Sequence, residues 1–91
     1  MIRPLAPFTA TLEDTAQLIG ASLHGDNISF TGITHVDSEV EAGDLFLAIP
    51  GAQVHGATFV GSAINRGAVA VLTDEAGLLH CAGIPALVVT D

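Results

Sequence analysis

The 91-residue chain is 49% hydrophobic, with a mean hydropathy of +0.59, and sets two cationic residues against ten acidic ones for a formal net charge of −8. That length supports one small core rather than two domains, and its apolar runs, about five residues each, fall far short of the roughly 20 that a membrane helix needs. Both cations are arginines, Arg3 and Arg66, so phosphate neutralisation as in nucleic-acid binding is excluded, and so is the lysine of a GxxxxGK[ST] nucleotide loop.

Cys81 is the single cysteine, so an intrachain disulfide cannot form, and beside Ala82 and Gly83 it reads as a small buried hydrophobe. Met1-Ile2-Arg3-Pro4 opens no long apolar segment, and no signal peptide is expected.

In chain order, residues 1–10, with Pro4 and Pro7, read as an irregular lead-in, and the domain proper as 11–91. Thr11 offers an N-cap hydroxyl, Glu13 and Asp14 favour the first turn of a helix, and Gly20 ends it. This predicts a helix over 12–19 with Leu12, Ala16 and Ile19 as its buried stripe. A short strand is expected over 21–24, a turn at Gly25-Asp26-Asn27, and a strand over 28–34 from the alternation of Ile28, Phe30 and Gly32 with Ser29 and Thr31. A polar run, His35 to Glu41, follows.

Leu45 to Ile49 is an apolar run of strand length, stopped by Pro50-Gly51. From Ala57 the period becomes helical, with Phe59, Val60, Ala63 and Ile64 on one face, Arg66 in the last turn and Gly67 as terminator. Residues 68–72 are strand-like again. A short helix capped by Asp74, with Leu78 and Leu79 inward, and a last strand over 86–90 complete the chain. Alternating strands and helices predict a single small α/β domain with a mixed, partly parallel sheet and flanking helices. Such units place ligands outside the carboxyl ends of their strands.

Four histidines, His24, His35, His55 and His80, match no metal-binding spacing, and no metal site is expected. The carboxylates Asp37, Glu39, Glu41 and Asp44 read as a solvated loop rather than an acid/base pair, with Asp44 tying the turn that Gly43 begins. No catalytic residue is assigned. More suggestive is the loop from Pro50 to Gly56. Its glycines permit close backbone approach, Gln53 and His55 offer hydrogen-bonding groups, and the following helix start presents N–H groups to an anion.

Four segments in this order, Gly32 to His35 (GITH), Gly43 to Gly51 (GDLFLAIPG), His55-Gly56, and Ala63 to Leu72 (AINRGAVAVL), resemble the N-terminal domain of Mur ligases. The resemblance covers nearly the whole chain and is nearest to the UDP-N-acetylmuramoyl-tripeptide synthetase, or MurE, type. It implies an ATP-dependent amide ligase of peptidoglycan synthesis, in the cytoplasm, that adds the third amino acid to UDP-MurNAc-L-Ala-D-Glu. In that family the N-terminal domain grips the UDP end of the substrate, while ATP with Mg2+ and the incoming amino acid are handled by central and C-terminal domains. No cofactor is implied for this domain, and the partners implied are the UDP-MurNAc-dipeptide and those two domains.

The family commonly reads Thr-His-Asp-Ser-Arg where this chain has Thr34-His35-Val36-Asp37-Ser38-Glu39. Ungapped alignment puts Asp37 at the family's serine position, whereas a one-residue slip restores Asp37-Ser38 as Asp-Ser. His35 matches either way, and the arginine is absent under both. The family's second contact falls on Ala52, Gln53 and Val54, followed by His55 where many members carry Asp. The resemblance thus implies a uridine site of His35, Asp37, Ser38, Ala52, Gln53, Val54 and His55. Two alternatives are the equivalent domain of the MurF-type ligase and a non-catalytic, stand-alone interaction domain of the same fold.

Overall fold

The computed structural model describes residues 9–49, 56–81 and 83–89. Helix α1 (Leu12–Ile19) starts as its sequence dictates: Thr11 is extended and its Oγ1 accepts from the Asp14 N–H at 3.2 Å. Asn27 Oδ1 accepts from the Glu13 N–H at 2.9 Å, satisfying a second free donor of the same helix end. Gly20, in the left-handed region at φ 74°, terminates the helix.

Among the described residues there are also seven strands. β1 (Ala10–Thr11) and β3 (Ser29–Phe30) form a short antiparallel pair, and the main sheet has the order β2-β7-β6-β5-β4. Its members are β2 (Ser22–His24), β4 (Gly32–Thr34), β5 (Asp44–Ala48), β6 (Ala70–Thr73) and β7 (Ala86–Val88). β2 lies antiparallel on β7, and β4, β5, β6 and β7 are mutually parallel. In register, Leu45 faces Ala70, Phe46 faces Val71 and Ala48 faces Thr73.

The alternation of side chains along these strands divides the core in two. Phe46, Ala48, Val71 and Ala86 pack with Val60 and Ala63 of α2 (Val60–Asn65) and with Leu78 of α3 (Glu75–Leu78). Leu45, Ala70 and Leu87 point the other way, against Leu12 and Ala16 of α1 and against Phe30. Helices on both faces explain why residues 45–48 of β5 and 70–72 of β6 are continuously apolar. Each fully buried large side chain in these layers contributes about 1.5–3 kcal/mol.

Several sequence expectations are corrected. The strand expected over 28–34 is broken at Thr31, because Ser29–Phe30 pairs with β1 while Gly32–Thr34 pairs with β5. The Thr31 N–H donates to the Gly43 carbonyl at 2.9 Å during the transfer between sheets. Ala10, placed in the lead-in, pairs with Phe30. Ile19 is 48% exposed, because only Leu12 and Ala16 of this two-turn helix are buried. Leu79 is 87% exposed. Consecutive residues of a helix lie about 100° apart, so the one-turn α3 turns Leu78 inward and leaves its neighbour outside. The helix expected from Ala57 begins instead as a 3-10 turn, Gly56–Phe59, and becomes α-helical at Val60. Phe59 and Ile64, placed on its inner face, are partly exposed.

The end of α2 is clamped to the start of β5. The Gly43 N–H donates to the Gly67 carbonyl at 3.0 Å, and the Val69 N–H to the Asp44 carbonyl at 2.9 Å. A Cβ on Gly67, at φ 113°, would meet Ala42 Cα at 2.7 Å. Gly67→Ala is therefore expected to cost about 1–3 kcal/mol of stability in urea unfolding. By contrast, Gly61→Ala, inside α2 and facing open space, should stabilise by about 0.5–1 kcal/mol.

Cys81 is buried against α3, with its Sγ donating to the Gly77 carbonyl at 3.5 Å, and burial pushes its thiol above the ordinary value. A raised folded-state pKa adds stability below the unfolded value and loses it as pH rises through the folded one. Native protein at pH 8 should resist alkylation by iodoacetamide and react readily once unfolded; mass spectrometry distinguishes the two.

Candidate functional site

Four parallel strands bring four carboxyl ends to one edge of the sheet, at Thr34, Ala48, Thr73 and Val88. In an open α/β sheet this is the edge where ligands bind. Of the residues predicted from the sequence, His35 follows β4 directly and is exposed. Asp37 and Ser38 belong to a single 3-10 turn, Asp37–Glu39, with Asp37 half-buried and Ser38 exposed. The turn is closed by the Glu39 N–H on the Val36 carbonyl at 3.0 Å and by the Val40 N–H on the Asp37 carbonyl at 3.3 Å. It packs against α2, and Val40 enters the core beneath it. His35, Asp37 and Ser38 thus lie on one short polar segment, a ledge that begins at the carboxyl end of β4. Ala52, Gln53, Val54 and His55 lie outside the described residues. The chain on either side of them leaves β5 at Ala48 and re-enters at the 3-10 turn Gly56–Phe59, which contacts β5.

The carboxylate run separates along the sheet. Asp44 is the first residue of β5, at the opposite, amino edge, where it is 1% exposed and its Oδ2 accepts from the Glu41 N–H at 2.8 Å. It is the turn tie expected from the sequence, at the edge away from His35. His24 pairs with Ala86 at the amino end of β7, so it too stands at the far edge from His35. Among the described residues no group of three or more His, Cys, Asp or Glu side chains could hold a metal ion, and no helix is long and apolar enough to cross a membrane.

Positive charge is also misplaced for a phosphate. Arg66 caps the C-terminus of α2, and its neighbour Gly67 is bonded to Gly43 at the amino edge of β5. Among the described residues the carboxyl edge therefore carries no cation. A cavity lined by Gly25, Asp26, Gly83, Ile84 and Pro85 adjoins the His24–Ala86 pair, again at the edge away from His35.

Two residues that sequence reasoning passed over are Thr34 and Thr73, the last residues of β4 and β6, both buried. Thr34 Oγ1 accepts from the Val36 N–H at 3.2 Å, and Thr73 Oγ1 donates to the Ala48 carbonyl at 2.6 Å. The signal was a threonine closing an apolar strand immediately before a polar residue, as in Ile33-Thr34-His35 and Leu72-Thr73-Asp74.

Comparison with known proteins converges on one family. A family profile described as Mur ligase family, catalytic domain, matches residues 29–91. A UDP-N-acetylmuramoyl-L-alanyl-D-glutamate--2,6-diaminopimelate ligase of Streptomyces coelicolor is 45% identical over 91 residues, covering 98% of this chain and 18% of the relative. A UDP-N-acetylmuramyl-tripeptide synthetase of Leifsonia xyli is 39% identical over 94 residues, covering 99% of this chain and 18% of its own length. The chain thus spans less than a fifth of the curated relatives it matches. Among solved structures, MurF from Acinetobacter baumannii superposes with a TM-score of 0.73 at 21% identity, over 93% of this chain and 19% of that one, a likeness of fold. With a family profile matched over most of its length and relatives of this identity across nearly all of it, the chain belongs to the Mur ligase family.

Proposed function

We propose that this chain is the N-terminal, nucleotide-gripping domain of a MurE-type ligase, which adds the third amino acid to UDP-MurNAc-L-Ala-D-Glu at the expense of ATP in the cytoplasm. The observation that carries the reading is the ledge of His35, Asp37 and Ser38 at the carboxyl edge, in a chain 45% identical to a diaminopimelate-adding ligase. The MurF alternative has less support, since its structural likeness comes at 21% identity.

In this reading the domain works by position. Holding the uridine end on the ledge, together with Ala52, Gln53, Val54 and His55, orients the distant peptide carboxylate toward the reacting centre, so that remote binding energy contributes to rate. The His35 imidazole and the Ser38 hydroxyl are suited to the edge of uracil and to ribose hydroxyls. With no cation among the described residues of that edge, the diphosphate would be met by backbone N–H groups or by basic residues of the rest of the protein. The residues present do not fit ATP: the chain has no lysine for a phosphate loop, so ATP and Mg2+ belong to other parts of a full-length ligase.

A chemical-shift titration of the isotope-labelled domain with UDP and with UDP-MurNAc-dipeptide tests the site. The largest shifts are expected at residues 35–38 and 52–55, and millimolar ligand moving neither set would refute an independent uridine site. In the same assay His35→Ala should weaken UDP binding by about five- to tenfold, the size expected for one lost polar contact, with little change in thermal stability because the side chain is exposed. If Asp37→Asn and Ser38→Ala differ in effect, the more damaging variant identifies the residue that meets the uridine.

A further inference from the structure

We propose that Thr34 is a positioning residue for the uridine ledge, its buried hydroxyl holding the backbone that presents His35, Asp37 and Ser38. The inference rests on the ligand reading above and adds to it a residue that makes no ligand contact.

Thr34 ends β4, in parallel register with Phe46, and is 1% exposed. Its Oγ1 accepts from the Val36 N–H at 3.2 Å, spanning His35. A threonine hydroxyl bonded to the amide two residues on is a local turn that stops the strand. Val36 is in turn the acceptor for the Glu39 N–H at 3.0 Å, and the Asp37 carbonyl takes the Val40 N–H at 3.3 Å. The ledge is therefore suspended between two anchors, the Thr34 hydroxyl fixed in the sheet and the Val40 side chain fixed in the core. Without the first anchor, the sheet end of the 3-10 turn loses the bond that sets where His35 leaves the strand. A short site of this kind needs its backbone held within a fraction of an ångström to be effective.

Amide hydrogen exchange and UDP titration of the 91-residue chain test this with three variants. Thr34→Val keeps the shape and removes the acceptor; Thr34→Ser keeps the acceptor; Ala16→Gly in α1 lowers stability from the other face of the sheet. In Thr34→Val we expect Val36 exchange to accelerate by about tenfold or more beyond the global change, the resonances of residues 35–38 to move, and UDP affinity to fall by about tenfold. Thr34→Ser should keep both protection and affinity, and Ala16→Gly should leave both in place. The proposal is overturned if Val36 exchanges at an unprotected rate in the unaltered chain, which needs no variant to fold. It is equally overturned if folded Thr34→Val keeps Val36 protection and UDP affinity, or if Thr34→Ser loses as much as Thr34→Val. Should the unaltered chain bind no UDP, the ligand reading fails, while the Val36 contrast between Thr34→Val and Thr34→Ser still decides whether the hydroxyl positions the turn.

Discussion

Parallel pairing of β4, β5, β6 and β7 is the constraint from which the rest of this domain follows. Parallel strands cannot be joined by tight hairpins, so each connection must carry the chain back across a face of the sheet. The 3-10 turn at Asp37–Glu39, helix α2 and helix α3 belong to three such returns. Those returns bury one face, α1 buries the other, and the strands between them have no reason to alternate polar with apolar residues. The same pairing collects four carboxyl ends at one edge, which creates a place for a ligand before any particular side chain is chosen.

Buried polar side chains mark where that architecture is tied together. Thr34, Asp44 and Thr73 are the buried polar residues among those described, and each makes a hydrogen bond to backbone. A buried polar group left unpaired costs about 1–3 kcal/mol, so their placement is itself informative. Asp44 secures the entry of β5 at the amino edge, while Thr34 and Thr73 secure the carboxyl edge. The two edges consequently differ in role: the amino edge holds the clamp of Gly43, Asp44 and Gly67 with Arg66 beside it, and the carboxyl edge holds the exposed ledge.

In the proposed reading, the charge pattern suits recognition of part of a ligand rather than all of it. A net charge of −8 with two arginines gives little attraction for a diphosphate, and Arg66 stands at the wrong edge to help. His35 and Ser38 are the polar groups that the proposal assigns to a base and a sugar. The chain spans less than a fifth of its curated relatives, and in the proposed reading it supplies only that portion of recognition.

The sequence by itself determined the class of fold, the limits of α1, the caps at Thr11 and Asp74, and the tie made by Asp44, because each depends on residues within a few positions of one another. It also carried the family, through four segments in order. Contacts between distant segments decided the remainder. Thr31 divides what reads as one strand because β1 and β5 compete for its two halves, and neither is adjacent in sequence. Ile19, Leu79 and Phe59 are apolar at helical spacing, yet whether each is covered depends on how far a neighbouring element extends. Thr34 shows locally only as a threonine closing an apolar strand before a histidine; that it is buried, with the Val36 amide donating to its hydroxyl, emerges only in the tertiary structure.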